Sequence, residues 1–152
     1  MRKAPVINWF EADIPGVRFA DRKAPKEIIR EDYFECRPMP ISTQMGESEI
    51  VCGILEGWHH TPIFRTWETH RYAETFYYFE GTALMPFIGF KDGKPDPDLA
   101  VIVRIPAGIQ VEVLAGVAHY VAVAENDHFA CIVYSPDQPS DKFTTDEAVS
   151  GI

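Results

Sequence analysis

The sequence predicts an all-β protein, a sandwich or a barrel. Three observations carry that expectation. From Glu49 onward, aromatic and β-branched residues dominate in runs of strand length. Gly, Pro, Asn and Asp separate those runs. The runs also follow one another without intervening helical patterns, which excludes alternating strands and helices around a parallel sheet.

The expected strands are "EIVCGILEGW", "TFYYFEGTALMPFIGF", "LAVIVRIPAG", "IQVEVLAGVAHYVAVA" and "HFACIVYSP". "KDGKPDPD", Lys91 to Asp98, reads as an exposed loop. "TTDEAVSGI" at the C-terminus starts a short helix, with Thr144 or Thr145 as N-cap. Residues 1–48 are rich in proline and charge, which interrupts long helices and central strands. Lys26 to Asp32 has the length of one or two helical turns. Trp9, Phe10, Phe19, Tyr33 and Phe34 are too apolar for a disordered tail. The segment therefore reads as an arm that packs on the barrel, residues 49–152, or on a partner subunit.

A chain of 152 residues is one ordinary domain with room for a core. Hydrophobic residues make up 46% and charged residues 24%, a globular composition. The net charge of −9 argues against nucleic acid or an anionic membrane as partner, since both require clustered Lys and Arg. Cys36, Cys52 and Cys131 have no metal-site spacing and cannot all pair, which favours a reducing compartment. "MRKAPVINWF" reads as neither signal peptide nor anchor, and no apolar run reaches transmembrane length. The expectation is a cytoplasmic protein with a small-molecule partner.

"TWETHRYAETFYYFEG", Thr66 to Gly81, places Glu68, His70 and Glu74 in strand-like text. Side chains in a strand alternate faces, so Glu68, His70, Tyr72 and Glu74 share one face if the segment stays extended. Neighbours on that face have Cα atoms about 7 Å apart and can converge on one ion. Glu74 needs a bend to join the other two. A lone His or Glu on a strand usually belongs to the solvated face, so the functional reading needs a second polar cluster.

"PAGIQVEVLAGVAHYVAV" offers one. Gln110 to Leu114 alternates polar and apolar, and His119 is the one histidine in an apolar run. A two-residue turn at Ala115-Gly116 would pair Leu114 with Val117, and therefore Glu112 with His119, with Cβ atoms about 5 Å apart on one face. A longer loop would change the register and lose the pair. A buried His–Glu hydrogen bond that only supports structure is the competing reading.

Together the two stretches resemble the cupin family over roughly residues 50–136. "HRYAETFYYFEG" fits the first cupin motif from its second histidine onward: His70, three residues, Glu74, six residues, Gly81. Glu68 stands where a cupin usually has its first histidine. "IPAG", Ile105 to Gly108, resembles the Pro-x-Gly of the second motif, but Val111 stands where that motif has a histidine. Among cupins, the ureidoglycolate lyase branch is the nearest likeness, through "ETHR", the "IPAG" text before "VEV" and the later histidine. The resemblance implies a double-stranded β-helix, or jelly-roll, barrel with an N-terminal Pro-rich arm and short peripheral helices. It also implies a homodimer with a metal or a small polar metabolite in the barrel mouth. His70, Glu74 and His119 map onto ligand-type positions.

Two imidazoles with carboxylates and no thiolate suit a divalent ion such as Zn, Mn, Fe, Ni or Co. For ureidoglycolate-type C–N cleavage, Glu112 or Glu68 is the candidate base, whichever is not a ligand. Arg104 could clamp a carboxylate, although an arginine at a barrel rim more often pairs with a neighbouring acid. Tyr72 and Tyr78 share the parity of His70 and could line the pocket. His59 and His60 read as surface residues, and His128 as a turn residue. The sequence leaves three functions open: a metal-dependent enzyme on a small 2-hydroxy or ureido acid, a binding or sensing module without turnover, and a metal-free, sugar epimerase-like cupin using a His119–Glu112 dyad.

Overall fold

The structure is a computed structural model that describes residues 1–46 and 49–152. The expected end of the arm at residue 48 lies outside the described residues. Among the described residues, the strands are β1 (Arg2–Lys3), β2 (Val6–Asn8), β3 (Val17–Asp21), β4 (Ile29–Glu31), β5 (Phe34–Cys36), β6 (Ile50–Trp58), β7 (Ile63–Thr69), β8 (Glu74–Lys91), β9 (Lys94–Pro106), β10 (Ile109–Val113), β11 (Ala118–His119), β12 (Val123–Pro136) and β13 (Asp141–Ser150). A 3-10 turn at Trp9–Glu11 is the one helical element among them.

All the strands except the β4–β5 hairpin join one curled sheet. β8 organises it. Over its 18 residues it pairs in turn with β9, β10, β11 and β12. At its start Glu74, Phe76 and Tyr78 are buried while Thr75 and Tyr77 are half-buried, the alternation expected of a strand with one face inward. From Ala83 to Ile88 every residue is buried. There, two apolar layers cover opposite faces: Met85 and Phe87 pack with Val103, Ile105, Val111 and Phe129, whereas Leu84 and Ile88 pack with Trp67, Ile102 and Val149. Burial on both faces is why this stretch reads as an unbroken apolar run.

Gly81 breaks the strand locally. Its φ is +67°, and an added Cβ would lie 2.0 Å from the carbonyl oxygen of His128. Only glycine fits, and the β8–β12 register shifts beside it.

Several local expectations are corrected. The loop at residues 91–98 is reduced to a tight turn, with Asp92 and Gly93 both at positive φ, as a type I′ hairpin requires. Pro95 follows inside β9, where the strand pairs with β8 alone, so its missing N–H leaves no ladder bond open. Lys26 to Asp32 forms no helical turn, because Ile29–Glu31 pairs with Phe34–Cys36. The C-terminal segment is not a helix either; it is strand β13, held by β7 and β1. No helix among the described residues is long and apolar enough to cross a membrane.

Candidate functional site

Strand β7 ends at Thr69, and residues 70–73 form a bend before β8 begins at Glu74. That bend supplies the turn Glu74 needs. The extended face expected for Glu68, His70, Tyr72 and Glu74 is therefore interrupted, and Glu74 instead takes the inward parity of Phe76 and Tyr78. Two contacts fix the bend. Gln138 accepts from the Tyr72 amide through Oε1 at 2.8 Å and donates from Nε2 to the Tyr72 carbonyl at 3.2 Å. The Gly116 amide donates to the His70 carbonyl at 2.9 Å.

His119 arrives from the two-residue strand β11, paired with Glu68 on one side and Phe87 on the other. Its ring lies 5.4 Å from that of His70, centroid to centroid. One carboxylate oxygen of Glu74, Oε2, stands 3.2 Å from Nε2 of His119 and 3.2 Å from Nε2 of His70. Glu68 Oε1 is 3.9 Å from His70 Nε2. Ligand atoms of Glu68, His70 and His119 all lie within 4.8 Å of one another.

These residues fit a divalent cation. The His70 side chain is only 9% exposed, yet among the described residues neither of its ring nitrogens has a well-aligned hydrogen-bond partner, although Glu68 and the Pro139 backbone lie near enough to favour its protonated form. In His119, Nδ1 lies 3.0 Å from the Val117 carbonyl oxygen. If Nδ1 carries the proton, the lone pair of Nε2 faces the Glu74 carboxylate. Lone pairs and carboxylate oxygens at this spacing need positive charge between them. Donors at about 2.0–2.2 Å from one ion stand roughly 3–3.5 Å apart, and the ligand atoms of Glu68, His70 and His119, within 4.8 Å of one another, need to draw in only slightly to reach that spacing.

The charges already respond to one another. The Glu68 carboxylate raises the His70 pKa above its ordinary value, opposed by burial and aided by Glu74. His70 in turn lowers the Glu68 pKa, again against burial, with the Ser140 hydroxyl assisting.

A cavity of about 160 Å³ opens beside these groups. Glu68, Glu74 and His119 line its polar side, and Tyr78 faces it from the barrel wall. The Tyr78 hydroxyl donates to the Met85 sulfur at 3.5 Å, and burial pushes its pKa up.

Three other candidates stand elsewhere. The expected hairpin at Ala115-Gly116 does not form: β10 pairs with β3 and β8, while β11 pairs with β7 and β8. Glu112 consequently faces Arg18, whose Nε donates to its Oε2 at 2.6 Å, and it does not meet His119. The His119–Glu112 dyad is thus corrected; the carboxylate beside His119 is Glu74. Tyr72 lines a surface cleft with Arg18 and Glu112, on the outer side of β10. Arg104 donates to Glu125 Oε1 at 2.6 Å and does not line the cavity, as a rim arginine paired with an acid. His59 and His60 are exposed. His128 lies within β12 rather than in a turn, between Glu56 and Glu80.

Gln138 went unrecognised in the sequence. Its role depends on a contact with a bend far away in the chain, and a glutamine in a polar loop carries no motif.

No family model matches the chain, and no curated protein matches it. Solved structures do. RmlC from Streptococcus suis, in complex with dTDP-D-xylose, is 14% identical with a TM-score of 0.53, covering 82% of this chain and 66% of that one. Bacillus subtilis oxalate decarboxylase, which contains Mn(II) centres, is 15% identical with a TM-score of 0.46, covering 64% of this chain. This chain spans about a quarter of the oxalate decarboxylase length, 24%. At 14% identity the likeness to RmlC speaks for architecture alone, and with the curled sheet around β8 it gives this chain the cupin fold, the double-stranded β-helix barrel.

Proposed function

We propose that this chain is a metal-dependent enzyme acting on a small 2-hydroxy or ureido acid at the cavity beside His119. The observation that carries the reading is His70, a buried imidazole that among the described residues has no well-aligned hydrogen-bond partner, set among Glu68, Glu74 and His119. Glu68, His70 and His119 would hold the ion, and a nitrogen–oxygen donor set suits Zn, Mn, Fe or Ni. A bound divalent ion supplies Lewis acidity toward the substrate's oxygens.

The remaining roles fall to the chain's own groups. Glu74 replaces Glu112 as candidate base, and it exchanges roles with Glu68 relative to the sequence expectation. On a ureido acid resembling ureidoglycolate, Glu74 takes the hydroxyl proton. The C–O bond becomes a carbonyl as the C–N bond breaks, and the proton passes to the departing nitrogen. Tyr78 faces the substrate from the wall. A binding or sensing module would share the metal and lack the turnover.

The test is metal analysis of protein purified without added metal, together with turnover of ureidoglycolate and other 2-hydroxy acids with and without chelator. About one ion per chain and chelator-sensitive turnover support the enzyme. Metal without turnover of any such acid supports the binding module, and absence of metal binding overturns both.

A homodimer belongs to the same proposal. Among the described residues β6 pairs only with β12, and its outer face carries exposed Ile50, Ile54 and Trp58. A second subunit, with the arm of residues 1–48 packed on the barrel or across the interface, would cover them. Light scattering of the wild type and of Ile54→Lys tests it: a dimer that the charge dissociates is expected, and a wild-type monomer overturns it. Three free thiols, Cys36, Cys52 and Cys131, fit a cytoplasmic setting.

A further inference from the structure

The cavity beside His119 has two unlike sides. One is the acidic and imidazole cluster. The other is the barrel wall, made of Leu55, Phe76, Tyr78, Met85, Ala122 and Val133. Among the described residues, no lysine or arginine lines it. The wall's hydrogen-bonding capacity is small. The Tyr78 hydroxyl is directed at the Met85 sulfur, a weak acceptor that it could leave for a ligand. Half-buried Tyr120 lies at the outer end, next to exposed Val121.

Charge and size then limit the ligand. A divalent ion with Glu68 and Glu74 both ionised brings the cluster to zero net charge. A monoanionic head adds one negative charge; a dianion would add a second, and among the described residues no lysine or arginine lines the cavity to meet it. At about 160 Å³ the space is small and suits a compact acid. A ureido tail brings several donors and a carbonyl acceptor against a wall that can satisfy about one of them, and each unsatisfied group costs about 1–3 kcal/mol.

We infer that the wall selects a monoanionic 2-hydroxy acid with a short apolar tail, in preference to a ureido or hydroxyl tail or to a dicarboxylate. This rests on the metal reading proposed above and decides between the two substrate classes that reading leaves open. The selecting residues are those of the wall, with Val133 and Met85 facing the tail.

The test uses the metal-loaded chain and four probes with the same head: 2-hydroxybutyrate, its hydroxyl-for-methyl isostere glycerate, ureidoglycolate, and the dianion tartronate. Binding is measured by calorimetry after Mn2+ or Zn2+ binding has been titrated separately. Binding of 2-hydroxybutyrate about tenfold or more tighter than glycerate, with tartronate weakest, is expected. Val133→Thr puts a hydroxyl in the wall at nearly constant volume and is expected to narrow the gap between the first two. Glycerate, ureidoglycolate or tartronate binding as tightly as 2-hydroxybutyrate to metal-loaded protein overturns the inference while leaving the metal reading standing. Failure of the metal titration itself overturns both.

Discussion

The rings of His70 and His119 meet with centroids 5.4 Å apart, although one is carried by the bend after β7 and the other by β11. Their Nε2 atoms share one neighbour, Glu74 Oε2, at 3.2 Å from each. Both imidazoles belong with Glu68 to the proposed ligand set, so removing either should abolish tight metal binding. His70→Ala and His119→Ala are expected to weaken divalent-ion affinity by more than about a hundredfold, since outer partners of a metal ligand alone are worth about 10–100-fold. Arg104→Ala, whose partner is Glu125, should leave that affinity unchanged. Calorimetric titration of the three variants checks the contrast, and full metal occupancy in His70→Ala would remove His70 from the site.

Gln138 should matter through geometry rather than through ligation. It grips both backbone groups of Tyr72 and so holds the bend that presents His70. Gln138→Ala is expected to keep the fold and to lower metal affinity about tenfold, by freeing His70 to sample other orientations. Gln138→Glu can still accept from the Tyr72 amide but cannot donate to its carbonyl, and it should fall between alanine and wild type. Circular dichroism and metal titration together separate loss of positioning from loss of fold.

The uneven legibility of these parts has physical causes. β6 and β8 announced themselves because strand propensity and inward alternation are local properties. His70, Glu74 and Gly81 were visible because a bend, an inward carboxylate and a positive-φ glycine fall within one short stretch. His119 was visible as a lone polar residue in an apolar run. The partner of Glu112 was not, because its register depends on β3. The Leu114 amide bonds the Gly16 carbonyl, and β3 takes the flank of β10 that a hairpin would have used. A two-residue turn was compatible with the local text, and a strand from the arm displaced it. The C-terminal segment was misjudged for a similar reason: Thr144 has cap chemistry, but β7 offers a ladder that a helix could not use.

Stability of the metal-free protein should depend on pH through Glu68 and His70. Glu68 is held below its ordinary value of 4.5, chiefly by His70, so its contribution is present above that pH and is lost as pH falls through the folded value. His70 is held above its ordinary value of 6.5, chiefly by Glu68, so its contribution is complete below that pH and is lost as pH rises through the folded value. The pair therefore stabilises most between about pH 4.5 and 6.5. Urea unfolding across pH in the presence of chelator is expected to show this maximum, with the alkaline decline absent in His70→Ala. A divalent ion should move the maximum upward, because it binds neutral imidazole and competes with protons.

The Arg18–Glu112 pair gives the last prediction, and it separates structure from catalysis. The Glu112 side chain is 1% exposed, whereas that of Arg18 is 55% exposed. The arginine already has water, so the carboxylate is the group that would be stranded. Arg18→Met leaves a buried charge without its partner and is expected to destabilise by about 1–3 kcal/mol, less than a fully buried pair would lose. Glu112→Gln removes the buried charge while keeping an acceptor for Arg18, and it should be milder. In the double variant much of the Arg18→Met loss should be recovered, because no ionised group remains to be desolvated. Denaturant midpoints of the four proteins in this cycle measure the coupling. Metal affinity should stay constant throughout, since Glu112 faces Arg18 on the outer side of β10 while the ligand cluster faces the cavity. A Glu112→Gln variant that keeps its fold but loses metal or turnover would return this carboxylate to the functional site.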